Sequence, residues 1–85
     1  MKLNGKQRKT LAAIQRRPVP SGVTWVELES LLGAMGYEIM PSKGSNVTFI
    51  KDGYFWRYHR PHPRKEVDKG AIAGLVQHLK EVGEI

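Results

Sequence analysis

Residues 46–59 read NVTFIK-DG-YFWRYH, two alternating runs of six on either side of an Asp-Gly pair. Asp-Gly accepts the left-handed backbone of a two-residue turn whose twist matches that of the flanking strands, so the stretch predicts an antiparallel hairpin. In the first run Val47 and Phe49 share one face, and Asn46, Thr48 and Lys51 are expected away from it. In the returning run Tyr54, Trp56 and Tyr58 alternate with Phe55, Arg57 and His59. A same-face row of three aromatic rings is expected to pack under helices; turned outward, it would stack on bases. The run closes at HRPHP, residues 59–63, because Pro61 and Pro63 cannot continue a ladder.

An isolated hairpin is marginal in water, so its apolar face needs a cover. Helical periodicity on both sides provides one. In TWVELESLLGAMG, Thr24 stands three residues before Glu27, the spacing of a reciprocal capping box. Trp25, Leu28, Leu31, Leu32 and Met35 then form one apolar stripe, and Gly36 suits a left-handed stop. YEIM is a short strand candidate, followed by the turn PSKGS. In DKGAIAGLVQHLKEVG, Asp68 is expected to cap a helix that buries Ile72, Leu75, Val76, Leu79 and Val82 and stops at Gly83. Upstream, NGKQRKTLAAIQRR carries a helical register through Leu3, Gln7, Thr10, Leu11 and Ile14, with Leu11 and Ile14 its clearest core pair. Pro18 and Pro20 end it in the turn PVPSG.

The predicted order is therefore α-α-β-β-β-α, an α+β fold in which helices pack a three-stranded antiparallel sheet. The 85 residues fit one domain, 1–85, with a core over 24–83 and an additional N-terminal helix within 1–17.

The net charge is +6, and its distribution is informative. Residues 1–18 hold Lys2, Lys6, Arg8, Lys9, Arg16 and Arg17 with no acid, and residues 57–65 hold Arg57, Arg60, Arg64 and Lys65 with no acid. Two basic blocks on a small fold are the footprint of a nucleic-acid binder, against the plainer readings of a solvated surface or a dock for an acidic protein. There is no cysteine, no apolar run long enough to span a bilayer and no signal-type stretch after the charged start. A soluble, cytoplasmic protein with no membrane partner is expected.

HRPHP admits three readings: a metal clip, a catalytic pair, or a polar turn. Zinc needs further ligands beside His59 and His62. Cysteine is absent, His78 is expected on a helix surface without a special role, and Glu66 and Asp68 serve as acids near a helix start. No metal site is expected. Acid–base work fits better, since imidazole exchanges protons near neutral pH. Cleaving RNA without a metal requires a deprotonated 2′-hydroxyl, a protonated leaving oxygen and stabilisation of the phosphorane charge. His59, His62 and Arg60 or Lys43 contain those chemical types. In the plainer alternative His59 caps a strand and His62 contacts phosphate or a partner. Lys43-Gly44-Ser45 adds a weak phosphate-binding signal before a strand.

Taken together, LLGAMGYE, GSNVTFIKDG and HRPHPRKEVDKGAIAGLVQHL resemble the HicA toxins of bacterial HicA–HicB toxin–antitoxin pairs, in a longer form with an extra N-terminal helix. The resemblance covers residues 24–83 and rests on the order and spacing of the GS turn, the hairpin, the closing HP and the KG that opens the last helix. It implies a double-stranded-RNA-binding-like fold. It also implies the toxin of a type II pair, which cleaves messenger RNA by metal-independent acid–base chemistry, uses no cofactor, and is neutralised by a HicB-type antitoxin. One departure stands out. The family usually places its catalytic histidine just after the GS turn, where this chain has Asn46 and Val47. The chemistry then falls to His62 as first candidate and His59 as second, or the protein binds RNA and antitoxin without efficient cleavage. RNA is expected across the sheet edge, held by Lys43, Ser45, Arg57, Arg60 and Arg64.

Overall fold

Asp52 and Gly53 both adopt positive φ, 51° and 82°, so the hairpin turns in two residues as its sequence requires. That turn fixes the register. Lys51 pairs with Tyr54, Phe49 with Trp56, Val47 with Tyr58 and Asn46 with His59. The computed structural model describes residues 2–85, and its elements are α1 (Gly5–Ile14), α2 (Trp25–Ala34), β1 (Glu38–Pro41), β2 (Asn46–Lys51), β3 (Tyr54–His59) and α3 (Lys69–Glu81). The sheet is antiparallel with strand order β1-β2-β3. This is an α+β fold of the double-stranded-RNA-binding-like kind, with one more helix at its N-terminal end.

Side-chain alternation assigns the two faces of the sheet. Val47, Phe49 and Tyr58 are buried, Trp56 is half-buried, and they pack with Leu28, Leu31, Leu32, Ile72, Leu75, Val76 and Leu79 of α2 and α3. Phe49 stacks on Trp56 at 5.5 Å, and Trp56 on Tyr58 at 5.2 Å. Trp56 and Tyr58 of the aromatic row thus lie under the helices, while Tyr54, at the turn, is exposed. On the opposite face Glu38, Met40, Asn46, Phe55, Arg57 and His59 are exposed.

Local sequence explains the helix ends. Thr24 accepts from the Glu27 amide at 3.2 Å while Glu27 accepts from the Thr24 amide at 3.0 Å. Asn4 and Gln7 form a second such box at the start of α1. α1 buries Ile14 and Thr10, with Leu11 only half-buried, so Thr10 takes the core place expected of Leu11; its hydroxyl donates to the Lys6 carbonyl. Asp68 occupies the cap position of α3, but its carboxylate makes no capping hydrogen bond. Glu66 sits in a bridge with Thr24 instead of in the first turn of the helix, and Trp25 N–H donates to Lys65 O at 2.9 Å.

Two charged or polar side chains depart from expectation. Lys51 shares the parity of Val47 and Phe49 and lies on the helix side. Its ammonium donates to the Met35 carbonyl at 2.6 Å and pairs with Glu84, 2.9 Å to Oε2. A cation there satisfies a carbonyl at the C-terminal end of α2 and opposes the negative end of the helix dipole. His78 is half-buried, its Nε2 3.0 Å from the Tyr37 hydroxyl.

Lys51 thus ties the sheet to the end of α2 and to the segment after α3. Lys51→Met should cost about 1 kcal/mol, the discounted value of a partly exposed charged hydrogen-bond set. The melting temperature should fall by roughly 4–8 °C. Melting Lys51→Met, Glu84→Gln and the double variant checks the coupling: strict additivity would show that the two groups do not act together.

Candidate nucleic-acid interface

Glu29 is the chain's least expected core residue. It lies on α2 at 9% exposure, four residues after Trp25 and three before Leu32, on the apolar face of the helix. A carboxylate there is tolerable only if it is paired and hydrogen-bonded. Its Oε2 accepts from the Tyr58 hydroxyl at 2.7 Å and from Arg60 Nε at 2.8 Å, and its Oε1 accepts from Arg60 Nη2 at 2.7 Å. The guanidinium also lies over the Trp25 ring, 4.5 Å from its centroid. The pair raises the Arg60 pKa, chiefly through the hydrogen bonds the guanidinium donates to Glu29.

This cluster orients the end of β3. With Tyr58 and Arg60 both held toward α2, the residue between them points to the opposite face. That residue is His59, which is exposed, with Nδ1 3.2 Å from Asn46 Oδ1. The Asn46 amide nitrogen reaches the Lys43 carbonyl at 3.5 Å, which agrees with an orientation that presents Oδ1 to the histidine. In neutral His59 this arrangement places the proton on Nδ1 and leaves the Nε2 lone pair free. Arg60 N–H donates to Ser45 O at 2.8 Å, so the turn before β2 is bound to the residue after His59.

The expected site residues therefore divide. Lys43, Ser45 and His59 gather at one end of the open face. Arg57 is next to His59 on that face, its Nε donating to Thr48 Oγ1 at 3.2 Å. Arg60 points the other way, its fork taken by Glu29. Arg64 lines a cavity of about 460 Å³ with Ser21, Gly22, Val67 and Lys69, none of them in the sheet. His62 is exposed in the connection between those points, and that connection is anchored at Arg60 and at Lys65. Val47, in the segment where the resemblance noted above would put a histidine, is 1% exposed and belongs to the core. Asn46 and Glu29 carry roles not anticipated from sequence. The signal for Glu29 was present as an acid inside an apolar helical stripe, and the signal for Asn46 was the hairpin register that sets it opposite His59. Among the described residues no group of three or more His, Asp or Glu side chains is placed to hold a metal, and no helix is long and apolar enough to cross a membrane.

Residues 25–83 match the family described as HicA toxin of bacterial toxin–antitoxin systems. No curated protein and no solved structure matches the chain.

Glu29→Ala should cost about 2–3 kcal/mol, because it strands the Tyr58 hydroxyl and one face of Arg60, with Glu29→Gln falling between. Denaturant unfolding checks the order. The Tyr58 hydroxyl is pushed far above its ordinary value of 10.0, first by burial and then by the hydrogen bond to Glu29 and its charge. A raised pKa on a group that is neutral when protonated gives stability that is full below pH 10 and is lost as the pH climbs further. Tyr58→Phe should flatten, though not abolish, the fall in unfolding midpoint between pH 9.5 and 11.5. Tyr37, raised chiefly by burial, sustains the remainder.

Proposed function

Because the chain belongs to the HicA toxin family, and is thereby the toxin of a toxin–antitoxin pair with a cognate antitoxin, we propose that it cleaves RNA at the Lys43–His59 end of the sheet. The observation that carries this reading is the His59–Asn46 contact, 3.2 Å, which leaves Nε2 as a free base on an exposed cationic surface. In the proposed step His59 Nε2 takes the proton of a 2′-hydroxyl, whose oxygen attacks the adjacent phosphorus. A 2′,3′-cyclic phosphate forms as the P–O5′ bond breaks. His62, protonated, supplies the proton to the departing 5′ oxygen. Lys43 and Arg57 offset the charge on the phosphorane oxygens. Arg60 acts through position: by pairing with Glu29 it holds His59 outward. Arg64 contacts the strand farther along.

This reading exchanges the roles expected from the motif alone. His59 becomes the first candidate, because the sheet fixes its place and Asn46 its tautomer, whereas His62 sits in an exposed turn. The base would then stand on the strand facing the segment where the family usually carries it. The messenger is the proposed substrate, a HicB-type protein the proposed antitoxin, and the cytoplasm the proposed site of action.

A second reading has one observation in its favour. Val47, at the segment where the family usually carries its histidine, is a core residue; on this reading the chain would bind RNA and antitoxin without cutting. Incubating the purified protein with RNA in EDTA separates the two. We expect cleavage in EDTA, with His59→Ala lowering the rate about 10²- to 10⁴-fold and His62→Ala also lowering it. Tight binding with RNA left intact would establish the binder, and loss of cleavage on adding EDTA alone would remove the metal-free mechanism.

A further inference from the structure

Phe55 is 64% exposed on the sheet face that no helix covers. Met40, also exposed, lies on that face, and Ile50 is the cross-strand partner of Phe55. An exposed ring beside an apolar cross-strand neighbour, on a sheet face left uncovered, offers a contact surface. Arg57 follows Phe55 at two residues, roughly 7 Å along β3, and His59 at four, roughly 13 Å. Among the described residues the terminal guanidinium nitrogens of Arg57 make no hydrogen bond; only its Nε is engaged, by Thr48. The row is thus a bare ring, then a cation, then the proposed base.

We infer that this face binds single-stranded RNA, with one base stacked on Phe55, its phosphate at Arg57, and the strand running on toward His59. The inference rests on the RNA-cleaving reading and goes beyond it by naming the strand state of the substrate and a residue that grips it. Duplex RNA hides its bases and is read by shape and backbone, whereas an unstacked base offers a face to an aromatic side chain. Charge fits the same direction. The acids near this row are Glu38, across the sheet beyond Ile50, Asp52, in the hairpin turn, and Glu81, at the rim of a hollow of about 350 Å³ that borders Phe55 together with Tyr54 and His78. All three lie at the Phe55 end. A phosphate is repelled from that end and drawn to Arg57, while the exocyclic amines of a base find acceptors there. A protein partner would suit Met40 and Ile50, and an acidic one Arg57 as well, but neither makes use of the succession of ring, cation and proposed base along one strand.

The test uses the full chain and a fluorescent 2′-O-methyl oligoribonucleotide, which lacks the nucleophile and stays intact, as a single strand and as a duplex. Anisotropy should show tighter binding of the single strand. Phe55→Ala should weaken it about 5- to 150-fold, the range of one lost base stack. Phe55→Trp should restore binding, and Phe55→Leu, which keeps bulk without a ring, should behave like the alanine variant. Neither should change the salt dependence, whereas Arg57→Ala should reduce its slope by about one. Thermal melts confirm that each variant is folded. If wild-type chain binds and cuts RNA but Phe55→Ala binds as well as wild type, this inference fails and the cleavage reading stands. Binding of neither RNA form by the wild type would overturn both. If Phe55→Ala leaves RNA affinity intact and instead alters self-association or affinity for the antitoxin, the face belongs to a protein and the inference is overturned.

Discussion

A buried carboxylate sets the geometry on which the open face depends. Glu29 on α2 is held by Tyr58 and Arg60, 29 and 31 residues later in the chain. Leaving such a group unpaired costs more than the hydrogen bonds themselves return, so the register of β3 against α2 has one acceptable solution. A slip of one residue would turn Tyr58 and Arg60 outward and bury His59 beside Glu29. The same contact that secures the core therefore decides which residue of HRPHP faces solvent. Arg60 looks from sequence like a phosphate contact, yet its guanidinium is engaged by a carboxylate and an aromatic ring.

What could be read from sequence was local. The Asp-Gly hairpin, the Thr24–Glu27 box and the stripe on α3 depend on residues within a few positions of one another, and the structure has all three, save that Val82 caps the end of α3 half-buried. Errors arose where charge was equated with exposure. Lys51 was expected away from Val47 and Phe49, although its parity is theirs, because a lysine beside a turn reads as solvated. Its burial depends on a distant carbonyl, Met35 O, and on Glu84. His78 likewise needed Tyr37, 41 positions earlier, to draw it inward. Asp68 stands at the cap position that composition indicates, but backbone pairing of Val67 N–H with Val23 O shapes that corner.

The candidate site was half legible for the same reason. A two-residue turn at 52–53 implies Asn46 opposite His59, so that pairing followed from the hairpin once its register was written out. Separating Arg57 from Arg60 needed only strand parity. Placing Arg64 did not follow from either, since the chain leaves the sheet at Pro61 and its path is set by bridging to residues 23–25.

The family match begins at residue 25, which leaves α1 to be explained by physics alone. α1 packs on α2 and α3, burying Thr10 and Ile14, with Gln7 donating to Ser30 Oγ at 3.1 Å. It lies on the helix side of the sheet, opposite the row of Phe55, Arg57 and His59. Lys2, Lys6, Arg8, Lys9, Arg16 and Arg17 all remain exposed. With a screening length of about 8 Å at physiological salt, cations on one side of a domain 22 Å across its shortest dimension add little to a phosphate held on the other. They raise the local concentration of an extended polyanion, and so speed its arrival, without deciding how it lies in the site. On this division of labour α1 supplies long-range attraction and a cover for α2, while orientation of the strand is left to the sheet.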